Sequence, residues 1–345
     1  MALVRGPFSL YTLISLIEFC NGTEKVALLM TTKQAWIGFG ILALIWGSSY
    51  LFIRIGVEQM TPFQLVFMRT GIAALGLNLV IYGQGKRLPT DGRSVRVLLF
   101  LGIVNTVFPF ALITWGEQYI ESGLASVLQG TTALFSLVIA HFAFVDERIT
   151  WRKVLGLLIG FVGVVVLAGR SGGAEVTNGS ALLHLLGQLA IVGSSLCYAI
   201  GGAYSRKAMQ NRLEPLVVSA GAMTVAAATT GVIAYLAPLW GGAAPVPWTQ
   251  LTPRVLGAVL VLGVANTFVA YLIFYSLIAA LGAARTAMIT YVLPVVGLLL
   301  GAIFLGEQVD IRLLIGAILI IGSIGIVNLK GASVLKRFRA VSSTT

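Results

Sequence analysis

Stretches of about twenty consecutive apolar residues recur along this 345-residue chain, separated by short polar connections. A bilayer core of roughly 30 Å needs about 20 residues at 1.5 Å of helical rise each. Measured by that length, ten candidate spans emerge: 34–57, 62–82, 95–115, 122–145, 153–169, 181–205, 215–237, 254–278, 282–305 and 311–329. The expected fold class is therefore all-α integral membrane. Gly and Pro punctuate the connections at Pro62, Pro89, Gly172, Gly173, Pro215, Pro238 and Pro245, and no stretch is long enough for a separate soluble domain. Composition agrees, because only 10% of residues are charged, whereas soluble domains carry about 25%.

A net charge of +11 would suggest a nucleic-acid binder in a soluble chain. Here the basic residues sit in short runs between apolar blocks, so no nucleic-acid partner is expected. With the start of the first span inside, the inner side collects Lys33, Lys86, Arg87, Arg93, Arg96, Arg148, Arg152, Lys153, Arg206, Lys207, Arg212, Arg285, Lys330, Lys336, Arg337 and Arg339. The outer side keeps Arg170, Arg254 and Arg312. That bias predicts a multi-pass protein of the cell's inner (plasma) membrane with both termini cytoplasmic. Cys20 and Cys197 support neither a disulfide framework nor a metal cluster, and no cofactor is expected.

The chain repeats itself. Gly47-Ser48-Ser49 returns as Gly193-Ser194-Ser195, 146 residues later. Leu101-Gly102-Ile103-Val104-Asn105-Thr106 returns as Leu262-Gly263-Val264-Ala265-Asn266-Thr267 at an offset of 161, and Glu147, Arg152 and Gly156 return as Glu307, Arg312 and Gly316 at 160. Three matches in one order indicate a duplicated five-helix unit. Five is odd, so the second copy enters the membrane from the opposite side. The charges agree: the loop from Lys86 to Arg96 is basic, and its counterpart at 238–253 is uncharged. Two inverted five-helix repeats are a signature of alternating access. The expected units are 34–170 and 181–330, preceded by a leader or mis-assigned start at 1–33 and followed by a basic cytoplasmic tail at 331–345.

At these residues the chain resembles the EamA family of the drug/metabolite transporter superfamily. The resemblance rests on Trp46-Gly47-Ser48-Ser49 with Arg54, on Arg69, on Asp146-Glu147-Arg148 followed by Gly156, and on Gly306-Glu307 followed by Gly316; it spans residues 34–330. It implies a ten-helix transporter whose cavity is lined by the first, third, fourth, sixth, eighth and ninth helices, with the fifth and tenth peripheral. Residues 154–169 carry no uncharged polar side chain and 313–327 only Ser323, which independently fits a peripheral place for those two. One departure is Thr131-Thr132-Ala133-Leu134-Phe135 in the fourth span, where members usually have a proline; the ninth keeps Pro294.

Several residues are candidates for the path. Asn105 and Asn266 occupy equivalent positions in mid-span, either as paired hydrogen-bonding groups for substrate or as helix-to-helix bonds. Trp46, Ser49 and Ile53 share a stripe, and Ser194 and Tyr198 lie one turn apart, an arrangement suited to a polar, partly apolar ligand. Gly47 and Gly193 read equally as close-packing residues. Gln129, Thr132 and Ser136 share a polar face that a lipid-facing helix would not present. Tyr271, Tyr275 and Tyr291 add aromatic surface, with interfacial belts as the competing explanation. Arg54 and Arg69 lack basic counterparts in the second half; they either meet an anionic substrate group, form a gate with Glu117 or Glu121, or make structural ion pairs. Glu147 and Glu307 fit capping roles. His141 lies about 120° from the polar face, which argues against proton coupling through it.

The function these features favour is secondary transport of a small metabolite, with export of amino acids or related amphipathic compounds implied by the resemblance. The expected partners are that small-molecule substrate and the lipid bilayer, with a homodimer open. An acyltransferase-like enzyme using the His141-x4-Asp146 spacing and a lipid-carrier flippase are the alternatives. The first straddles a helix end and has no domain to bind an acyl donor. No phosphate-binding glycine loop suggests ATP-driven pumping, and nothing resembles a selectivity filter.

Overall fold

The computed structural model describes residues 31–144, 149–168, 178–209 and 213–328, and within them the only regular structure is helical. Residues 1–30 of the leader, the Asp146-Glu147-Arg148 motif and the basic tail lie outside the described residues. Eight helices among the described residues are long and apolar enough to cross a membrane. They are α1 (Thr32–Gly56), α2 (Pro62–Gly83), α3 (Gly92–Gly116), α4 (Ser122–Ala143), α5 (Trp151–Ala168), α6 (Ala181–Ala208), α7 (Pro215–Trp240) and α8 (Pro253–Leu281). Two shorter apolar helices follow, α9 (Ile289–Leu305) and α10 (Ile311–Ile326). The ninth segment is shorter than expected because Gly282, at φ +83°, ends α8, and a turn at Ala287-Met288 separates a brief helix at Ala283–Thr286 from α9.

The helix starts follow from local chemistry. Thr31 and Gln34 form a capping box on α1, and Thr61 and Thr252 cap α2 and α8, each followed by proline, whose fixed φ suits the first helical position. Asp91 accepts the Ser94 N–H at 2.9 Å to start α3. That bond, with the Ser94 hydroxyl, holds the exposed Asp91 carboxyl below the usual carboxylate range. Glu307 caps from a distance: its two carboxylate oxygens accept the N–H groups of Ser122 (2.7 Å) and Gly123 (2.8 Å), tying the α9–α10 connection to the start of α4.

Helix partnerships correspond between the two halves. α2 packs on α7, α4 on α9 and α5 on α10; α1 meets α8 and α9 as α6 meets α3 and α4. Along the α5–α10 seam a Cβ on Gly163 would come 3.1 Å from the Gly316 carbonyl, so the two backbones approach as closely as small residues allow. The offset grows from 146 to 161 between the shared motifs, a difference of fifteen residues. Seven of these lengthen the stretch from Ser195 to Pro215, and eight lie in the α7–α8 connection. That connection is strapped down by Gln64, which exchanges hydrogen bonds with the Val246 backbone at 2.7 and 3.0 Å, and by Gln59, which accepts the Thr252 N–H at 2.9 Å.

The two ends of the bundle differ in packing. At the end holding Arg54, Glu117 and Glu307, one continuous buried cluster joins Tyr50, Met60, Met68, Ile113, Leu124, Ile191, Val255 and Leu313. Toward the other end the core divides into three separate clusters: α1 with α8 and α9, α2 with α7 and α8, and α3 with α7. The buried core is thus continuous at one end, called the closed end below, and divided at the other. Outward-facing residues such as Leu158, Val162, Val165, Ile315 and Ile318 give α5 and α10 the apolar exterior that lipid requires.

Candidate functional site

The repeated Leu-Gly-x-x-Asn-Thr motifs adopt the same unusual backbone. Ile103–Val107 in α3 and Val264–Val269 in α8 are both π-helical, a form that appears mostly as bulges at functional sites. Their asparagines nevertheless meet different neighbours. Asn266 is buried, and its amide nitrogen donates to the Ile45 carbonyl and to the hydroxyls of Ser48 and Ser49, each hydroxyl at 3.0 Å. This clasp sits where α1 breaks at Ser48 into Thr32–Gly47 and Ser49–Gly56. Asn105 is half-buried and lies against Gly201 of α6, where an added Cβ would collide with its amide. The two amides therefore occupy matching bulges without making matching bonds.

The second Gly-Ser-Ser motif is held by a different residue. Gln129, beside the break in α4 at Gly130, donates to Ser195 Oγ at 3.1 Å and to Thr132 Oγ1 at 3.0 Å, and accepts from Ser194 Oγ at 2.9 Å. The polar face expected on α4 thus meets α6. Ser136, one turn on from Thr132, is half-buried. Trp46 packs its ring 5.2 Å from Phe274 of α8. Tyr291 donates its hydroxyl to the Ile324 carbonyl of α10 at 3.4 Å. α9 runs through Pro294 without a break.

The centre is organised by a residue on α2, a helix that the resemblance did not place on the cavity. Arg69 is 8% exposed; its Nε donates to Thr267 Oγ1 at 2.8 Å, and its guanidinium lies over the Phe110 ring at 4.0 Å from the centroid. Thr267 in turn donates to the Leu262 carbonyl at 2.8 Å, which fixes its oxygen toward Arg69. Tyr50, Tyr198, Tyr271 and Glu117 are all within electrostatic reach of the guanidinium. Farther along α8, Tyr275 shares a short hydroxyl–hydroxyl contact with Ser219 of α7.

At the closed end Arg54 donates to the backbone carbonyl of Glu117, joining α1 to α3. The Glu117 carboxyl is fully buried, and both its oxygens lack a hydrogen-bond partner. His141 Nδ1 accepts the Ile149 N–H at 3.2 Å in the α4–α5 connection, and Asp146, its partner in the acyltransferase-like spacing, lies outside the described residues. Among the described residues no group of three or more His, Cys, Asp or Glu could hold a metal ion. Tyr50, Thr267 and Phe110 were not expected at the centre. Tyr50 adjoins Gly-Ser-Ser and Thr267 adjoins Asn266, but an aromatic or a threonine in a span reads first as packing.

The sequence profile of the EamA-like transporter family matches twice, over residues 34–169 and 185–329. The chain belongs to the EamA-like transporter family. It is a multi-pass membrane protein carrying that family's unit once in each half. Among its relatives, the uncharacterized inner membrane transporter YedA of Escherichia coli (strain K12) is 30% identical over 276 residues, covering 78% of this chain and 82% of its own length. A probable amino-acid metabolite efflux pump of Salmonella typhimurium (strain LT2) is 24% identical over 300 residues, 86% of this chain and 94% of its own. A crystal structure that is 21% identical matches with a TM-score of 0.60 over 87% of this chain and 98% of that one, a likeness of fold.

Proposed function

We propose that this EamA-like protein is a ten-span secondary transporter of the inner membrane that exports amino acids or related amphipathic metabolites by alternating access. The observation that carries this is the exchange of partners between halves: α1 on α8 and α9, α6 on α3 and α4. An inverted pair of five-helix units meeting about one axis gives such a pattern, and it offers two conformations of equal kind that open to opposite faces. The proposed units are 34–170 and 181–330.

The matched π segments and the one-ended closure support the same reading, with the closed end outside and the divided end cytoplasmic. The distribution of basic residues supports both termini inside. Amino-acid export is suggested by the printed name of the Salmonella relative. The solute would pass between Trp46, Ser49, Asn105, Gln129, Ser136, Ser194, Tyr198, Asn266, Tyr271 and Tyr291, with Arg54 and Glu117 at the outer gate. Uptake of a labelled amino-acid and metabolite panel into liposomes holding the purified chain tests it. Saturable flux of at least one solute is expected, and no flux of any solute in a folded preparation overturns the reading.

A further inference from the structure

Arg69 uses one of its five N–H donors, the Nε on Thr267, and makes no ion pair among the described residues. The four N–H groups of its terminal nitrogens make no hydrogen bond there either. One face of the guanidinium is covered by Phe110, and Thr267 holds the Nε side, so the free edge of the fork is the part left to meet something else. A cation this deeply buried in a membrane protein pairs with an anion or serves the transported path. The acid within its electrostatic reach, Glu117, does not bond it: both Glu117 carboxylate oxygens are buried without a hydrogen-bond partner. Tyr50 from α1, Tyr198 from α6 and Tyr271 from α8 are within electrostatic reach of the same guanidinium, while its two direct contacts, Phe110 on α3 and Thr267 on α8, come from one half each.

We propose that Arg69 is the receptor for a carboxylate on the transported solute, so that the substrates are carboxylate-bearing molecules. A planar fork accepts a two-oxygen anion in bidentate fashion, which a lysine or a hydroxyl cannot reproduce. A single guanidinium near a second buried acid suits a monoanionic carboxylate better than a doubly charged phosphate, whose compensation would need further cations. The tyrosine rings offer apolar faces to the rest of the solute while their hydroxyls stay polar. Of the roles the sequence leaves open for Arg69, this selects the anionic substrate group, and the assignment rests on the transport reading above.

The test measures binding and flux separately on the full-length chain. Binding in nanodiscs is measured for leucine, 4-methylpentanoate, isopentylamine and isopentyl phosphate, and for the corresponding phenylalanine series, with wild type, Arg69→Gln and Arg69→Lys. The two carboxylate-bearing probes of at least one series should bind wild type ten-fold or more tighter than the amine and the phosphate. Arg69→Gln should erase that preference while leaving the weak amine binding in place, and Arg69→Lys should restore part of it. Equal binding of amine and amino acid by wild type, preference for the phosphate, or an equal loss of every probe in Arg69→Gln overturns the assignment. The wild-type comparison decides even if a variant does not fold. Carboxylate selectivity without flux of any solute overturns the transport reading and leaves the site standing; flux without carboxylate selectivity does the reverse.

Discussion

Asn266 and Asn105 separate two roles that look alike along the sequence. Asn266 gives its amide nitrogen to three acceptors on α1 at the Ser48 break, whereas Asn105 fills the notch left by Gly201. Interhelical hydrogen bonds in membrane proteins are worth about 0.6–2 kcal/mol. Asn266→Ala should therefore lower stability in detergent by about 1 kcal/mol, and Asn105→Ala by distinctly less; thermal melts of the two variants check this, and equal losses contradict it. The sequence marked both residues, because an amide in an apolar span is conspicuous. It did not mark Tyr50 or the depth of Arg69. Depth depends on how α2 crosses α3 and α8, which residue spacing along one helix does not encode.

Most helix extents were legible because span length acts locally, although the capping residues that set the starts were not singled out and the ninth span came out shorter. Thr61-Pro62, Thr252-Pro253 and Asp91 each stand one residue before a helix start. The π segments were not legible, since they differ from α-helix by one residue per turn and carry no side-chain signature. Nor was the long-range cap: Glu307 was recognised as a capping type, but the helix it caps, α4, begins 185 residues earlier. Glu307→Ala leaves the Ser122 and Gly123 N–H groups without acceptors, which should cost about 1–3 kcal/mol. Hydrogen exchange at those two amides should accelerate at least ten-fold, and unchanged protection would count against the cap. The Asp91 cap predicts a pH dependence. A carboxyl held below its ordinary value contributes stability that is present above about pH 4 and fades as pH falls through the lowered value. Thermal melts should thus show Asp91→Ala destabilising the protein at pH 7, by an amount that shrinks as pH is lowered below about 4.

For the molecule as a whole, duplication was visible in three offset motifs, while the asymmetry laid over it emerged from the folded arrangement. The fifteen residues separating the two offsets resolve into a longer α6 region and a strap at 237–252 fixed by Gln59 and Gln64. One Gly-Ser-Ser motif is clasped by Asn266 and the other by Gln129, so the halves share a backbone plan and differ in side-chain partners. The buried core is one cluster at one end and three at the other, a difference on which the proposed alternating-access cycle draws. Strap variants such as Gln64→Ala should loosen the closed end, raising thiol labelling of a cysteine placed at Glu121 several-fold over the same cysteine in the parent. The measurement that bears most directly on the central claim is trans-stimulation in proteoliposomes, using whichever solute of the panel shows flux. Preloading the lumen with unlabelled solute should accelerate entry of labelled solute several-fold, with saturation on both sides; flux that rises linearly with concentration and ignores the lumenal load would mean a pore.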